Sequence, residues 1–198
     1  WLVFYYLKKG DKAKAKALAQ SAYGVYSERG LDTMAKFYER TGDLKNAHKV
    51  FEEIAERYES KRQLNAFYLR NADKDPEWKA KGEAMSKEVY PDGLKKVSLT
   101  DFKEEPKTGM KVKWGDPYLR DHPITKGVII VALNGYPVAN MKQYWLVKEV
   151  TPDGKLKSIY WDPNTKSYKE AEKQTVQDNL MGVSIEEYKP GQPELSGD

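Results

Sequence analysis

Between Ala15 and Tyr26 the apolar positions are Ala15, Leu18, Ala19, Ala22, Tyr23 and Tyr26. Spacings of three and four place them on one face of a helix. The face recurs 32 residues later as Ala47, Val50, Phe51, Ile54, Ala55 and Tyr58, and the turn before it recurs as Gly10-Asp11 and Gly42-Asp43. The preceding helices match at the same offset, with Leu2, Val3 and Tyr6 falling on Met34, Ala35 and Tyr38. Each unit is a helix, a glycine turn and a second helix. A third, degenerate unit uses Leu64, Phe67 and Tyr68, then Trp78, Gly82, Met85 and Val89, with Asp73 to Pro76 as its turn and Pro91-Asp92-Gly93 as its end.

From Val97 the pattern changes to alternating and β-branched runs broken by turn pairs, so a domain boundary is expected between Pro91 and Leu99. Gly127 to Leu133 reads as a buried strand ending in an Asn134-Gly135 turn, where positive φ is needed, followed by a short strand at Tyr136 to Val138. Asn140 caps a helix from Met141 to Val150. Strands follow at Leu156 to Trp161 and Ser167 to Lys173, joined by Asp162-Pro163-Asn164-Thr165, with a last strand at Gly182 to Tyr188. The expected fold class is α+β: helical hairpins over 1–92, a mainly β domain with one helix over 97–188, and a flexible tail over 189–198.

The first half resembles the tetratricopeptide repeat family. Gly42, Ala47 and Phe51 match its turn glycine, alanine and aromatic, with Tyr38 and Ala35 at its upstream positions. Departures are the offset of 32 rather than about 34 and Ala19 in place of an aromatic. The resemblance implies a solenoid with a concave groove lined by Arg29, Asp32, Lys36, Glu39 and Arg40. An ordinary solvated helix face is the plainer reading of those five positions.

The second half resembles a PDZ domain of the bacterial type. Gly127, Ile129, Ile130, Ala132, Leu133, Asn134, Gly135, Pro137 and Val138 match its pattern without a gap. Pro117 and Ile124 match upstream positions, while Asp116 replaces a serine and Val128 an aspartate. The resemblance implies a carboxylate-binding loop at Lys107-Thr108-Gly109-Met110 and a peptide-accepting strand edge at Met110 to Trp114, including Val112. A groove helix would offer Met141, Tyr144, Trp145 and Lys148. The alternative is a groove filled by the protein's own chain.

The 34 basic and 30 acidic side chains give a net charge of +4, too small and too interspersed for a nucleic-acid partner. With no cysteine, disulfides and thiolate chemistry are excluded, which fits a periplasmic or otherwise exported bacterial protein. The opening run Trp1 to Leu7 is too short to span a bilayer and reads as a buried first helix of a fragment or processed form.

Catalytic signatures do not emerge. His48 falls on the polar side of a repeat helix, and His122, near Asp116 and Asp121, lacks the spaced ligands of a closed metal site. Neither a phosphate loop nor a Gly-x-Ser-x-Gly elbow occurs, and no cofactor is implied. The expectation is a non-enzymatic scaffold that binds a protein or peptide partner, including a free C-terminus. The alternative is the non-catalytic regulatory region of a larger protease or other enzyme.

Overall fold

The computed structural model describes residues 2–115, 124–151, 155–174 and 183–191. The protein is α+β, a set of helices followed by an antiparallel sheet, and it divides into residues 1–85 and 86–198.

The first unit holds α1 (Leu2–Lys8), α2 (Lys12–Tyr23), α3 (Glu28–Thr41), α4 (Leu44–Arg57), α5 (Arg62–Arg70) and α6 (Pro76–Ser86). The two glycine turns are built alike. Gly10 and Gly42 adopt left-handed φ of 81° and 85°, and the next residues, Asp11 and Asp43, accept from the amides of Lys14 and Asn46. A left-handed residue stops one helix and a side-chain cap starts the next.

The repeated face is the buried one except at its end in the first repeat, where Tyr26 is exposed. Ala15, Ala19, Ala47, Phe51 and Ile54 are fully buried, and the Phe51 ring lies 5.3 Å from Phe67. Two glycines set how closely helices approach. A Cβ on Gly30 in α3 would lie 2.2 Å from the carbonyl oxygen of Ala22 in α2. One on Gly82 in α6 would lie 3.2 Å from Tyr68 and Leu69 side chains in α5. The 32-residue offset is also physical at the helix ends, where the Tyr58 hydroxyl donates to the Tyr26 carbonyl at 2.6 Å.

The second unit holds β1 (Met110–Gly115), β2 (Ile129–Leu133), β3 (Tyr136–Pro137), α7 (Met141–Val150), β4 (Lys155–Asp162), β5 (Ser167–Gln174) and β6 (Val183–Glu187). The strands are antiparallel in the order β5-β4-β2-β1-β6, and β3 pairs beside β1 along β2. Every residue of β2 is buried, as an uncharged run between neighbours must be. Ile129, Val131, Ile159 and Trp161 form a cluster with Val97, Leu99, Phe102 and Tyr168, while α7 packs against β2.

Asn134 and Gly135 both take positive φ, 48° and 80°, as a two-residue hairpin requires. Asn134 also acts through its side chain, donating to Thr151 Oγ1 at 2.7 Å and accepting from the Lys157 amide at 2.8 Å. It therefore ties the end of α7 to β4. The division at 85/86 comes ahead of the expected boundary because residues 86–97 are anchored to the sheet unit. Tyr90 donates to the Pro137 carbonyl at 2.6 Å, Gln143 donates to the Val89 carbonyl, and the Val97 amide donates to Gly135.

Candidate peptide-binding edge

The strand expected to accept a peptide is an interior strand. β1 pairs with β2 along one edge and with β6 along the other. Met110 and Val112 are fully buried core residues rather than groove walls.

Lys107 and Thr108 are exposed on the approach to β1, but Gly109 is buried. A Cβ there would meet Ile129 Cγ2 at 2.7 Å and the Ile130 carbonyl oxygen at 2.8 Å, with φ at +151°. Its carbonyl accepts from the Tyr188 amide at 2.8 Å. The glycine is thus needed for close packing of β1 on β2, and its carbonyl serves the β1–β6 ladder.

The edge beside the helix belongs to β6, which among the described residues pairs with β1 alone. Neighbouring residues of an antiparallel strand alternate between facing the partner and facing away. Since the Tyr188 amide is turned toward β1, the N–H and C=O groups of Ile185 and Glu187 point off the sheet. The Glu187 carboxylate accepts from the Met141 amide at 2.8 Å, which fixes the end of β6 against the start of α7. Asn140 accepts from the Gln143 amide at 3.0 Å, so two orphan donors of the helix are satisfied and the Glu187 charge lies at its positive end.

The rotation of α7 separates the four expected groove residues. Tyr144 and Lys148 are buried, whereas Met141 and Trp145 are half-buried. Burial pushes the Tyr144 phenol up to about 12. Lys148 carries its ammonium 4.4 Å from the Trp145 ring, a cation–π contact. Trp114, the end of the strand expected to accept a peptide, is 57% exposed and opposite Ser184 beside a bulge in the β1–β6 pairing.

Three of the five positions expected to line a groove on the helical unit, Asp32, Lys36 and Glu39, are engaged with neighbours inside it. Lys36 pairs with Asp32 at 3.0 Å, and both side chains are mostly buried. Glu39 receives both ends of the Arg70 guanidinium at 2.9 and 2.8 Å and the Asn71 amide group at 2.8 Å, which pins α3 to α5. Arg29 and Arg40 are exposed, the latter with its guanidinium 3.9 Å over the Phe4 ring. A separate hollow of about 620 Å³ opens between α4, α5 and α6, with Ala55, Leu64, Tyr68 and Met85 in its wall.

His48 is not on a solvated face. It stacks on Phe67, contacts the Tyr68 and Trp78 rings, and its Nε2 lies 2.9 Å from the Tyr68 hydroxyl. His122, Asp116, Asp121 and Pro117 lie outside the described residues, and no cluster of metal-ligating side chains occurs among those described. No helix among them is long and apolar enough to cross a membrane.

Comparison with family models, with curated proteins and with solved structures gave no match.

Proposed function

We propose that this chain is a protein-interaction module whose second unit takes an extended peptide as an added strand on β6, beside α7. The observation that carries the reading is the outer edge of β6, whose Ile185 and Glu187 main-chain groups face away from β1. Such an edge supplies affinity through main-chain hydrogen bonds, and side chains beside it supply selectivity. Met141 and Trp145 on α7 are the half-buried apolar side chains assigned that role. Support for a PDZ-like arrangement comes from the Asn134-Gly135 hairpin leading into α7, and for a repeat-like helical unit from the matched turns at Gly10 and Gly42.

The test is a screen of the chain against a library of free C-terminal peptides, followed by calorimetry on two variants. Proline at an edge position whose N–H faces solvent leaves the ladder intact. Ile185→Pro should therefore weaken binding about tenfold through loss of one main-chain donor, while Ile185→Ala, which keeps that donor, should change it less. Equal affinities for the two variants would place the peptide elsewhere.

A further inference from the structure

The whole net charge of the chain sits at one end of the helical unit. Of 34 basic and 30 acidic side chains, five and one fall in residues 1–27, which leaves 29 of each sign over residues 28–198. The five are Lys8, Lys9, Lys12, Lys14 and Lys16, all exposed. The one carboxylate, Asp11, accepts from the Lys14 amide as the cap of α2.

Several cations elsewhere in this unit stand one turn from a carboxylate, as in Lys36–Asp32, Arg57–Glu53 and Lys81–Glu77. Lys14 lies near the cap Asp11, with its ammonium 4.2 Å from the Tyr6 ring, whereas Lys12 and Lys16 have no carboxylate one turn away in either direction.

The same region shows apolar surface. Val3, Tyr6 and Leu7 of α1 face the core, while Leu2 and Tyr5 remain 47% and 40% exposed. Leu2 and Tyr5, three positions apart, share one outer stripe of α1, and Lys9, just past its end, holds its ammonium 5.9 Å from the Tyr5 ring.

We propose that this face, the outer stripe of α1 with the start of α2, docks on an anionic lipid surface. Leu2 and Tyr5 enter the headgroup layer and the lysines face its negative charge. Lysines beside an apolar stripe are the composition of an interfacial helix, and tyrosine, with an apolar ring and a polar tip, suits the boundary. Residues 1–27 contain no arginine, the fork-shaped cation that orients bidentately on a carboxylate or nucleic-acid phosphate. Compact ammonium groups on flexible stems suit a diffuse charged plane instead.

The test is co-sedimentation of the 198-residue chain with vesicles of phosphatidylcholine, alone or mixed with phosphatidylserine. Binding is expected to the mixed vesicles only, and to be largely lost at about 0.5 M salt. Replacing Lys8, Lys9, Lys12 and Lys16 together by glutamine removes four exposed charges and should weaken it on the order of a hundredfold or more. Tyr5→Ser should weaken it about tenfold, with Leu2→Ser as a second variant on the same stripe if the first is misfolded by circular dichroism. The proposal is overturned by no binding to mixed vesicles, by equal binding to neutral ones, or by a four-glutamine variant that binds unchanged. Binding to polyglutamate or duplex DNA as tight as to mixed vesicles, and indifferent to both serine variants, would identify a general polyanion face and also overturn it.

Discussion

Along α3, Lys36 meets Asp32, and Glu39 meets Arg70 and Asn71. Along β6, the main-chain groups of Ile185 and Glu187 point off the sheet. The contrast follows from how each element satisfies its backbone. A helix completes its hydrogen bonds internally except at its ends, so a helical unit can offer a partner little besides side chains. Here the central row of those side chains is engaged within the unit. A strand at a sheet margin leaves half of its backbone groups available whatever its side chains do. The sequence predicts a groove in each unit; among the described residues, outward-facing main-chain groups are found on β6.

If the helical unit depends on interlocked side chains, removing the largest buried one should produce the greatest loss. Phe51→Ala should destabilise it by about 3 to 5 kcal/mol in chemical denaturation, since the ring is fully buried against Phe67. A loss below about 1 kcal/mol would mean the ring is not part of the core.

Close approach is the second element of that side of the comparison. Gly30→Ala places a methyl 2.2 Å from the Ala22 carbonyl oxygen, and separating α2 from α3 to admit it should cost about 1 to 3 kcal/mol. A rise in thermal midpoint would show that the helices are not held at this distance.

On the sheet side, Tyr90 is the sharper probe because it joins residues 86–97 to β3. Its phenol is pushed up by burial and donates to Pro137. Tyr90→Phe should cost about 1 kcal/mol and make the 86–97 stretch more readily cleaved in limited proteolysis. Unchanged cleavage would detach that stretch from the sheet unit.

The smallest effect is electrostatic. The Lys169 ammonium, 2.7 Å from Asp162, holds that carboxyl down to about 2, from an ordinary 3.8. A depressed folded value gives stability that is complete above about pH 4 and lost as pH falls toward about 2. The stability difference between wild type and Asp162→Asn should therefore shrink over that window, by less than about 1 kcal/mol for a pair at the surface. A difference independent of pH would separate Asp162 from Lys169.

Local patterns were legible. The face repeated from Ala15 to Ala47, the turns at Gly10-Asp11 and Gly42-Asp43, the Asn134-Gly135 hairpin and the helix Met141–Val150 depend on residues a few positions apart. What was not legible depends on distant partners. Whether β1 is an edge is decided by Val183–Glu187, far along the chain and separated from it by β2 to β5. Glu39 reads as a solvated groove residue until Arg70 and Asn71 meet it. His48 reads as polar-facing until α5 and α6 bring Phe67 and Trp78 to it. Gly30 carried a signal that could have been used, because a glycine inside a helix lowers its stability and so suggests a close neighbour.

The complete burial of β2 bears on how the molecule is made. Val128 to Leu133 is an uncharged run without glycine or proline, the composition that stacks into intermolecular zippers when left uncovered. On the ribosome this run emerges after β1 but before β4, its long partner, and well before β6. Newly made chains thus pass through an interval in which their stickiest segment is half-clothed. Lys126 on one side and Asn134 on the other interrupt it at its ends, in the manner of gatekeepers. Solubility during synthesis is consequently governed by how fast β4 closes over β2, a race between folding and self-association rather than a property of the finished surface.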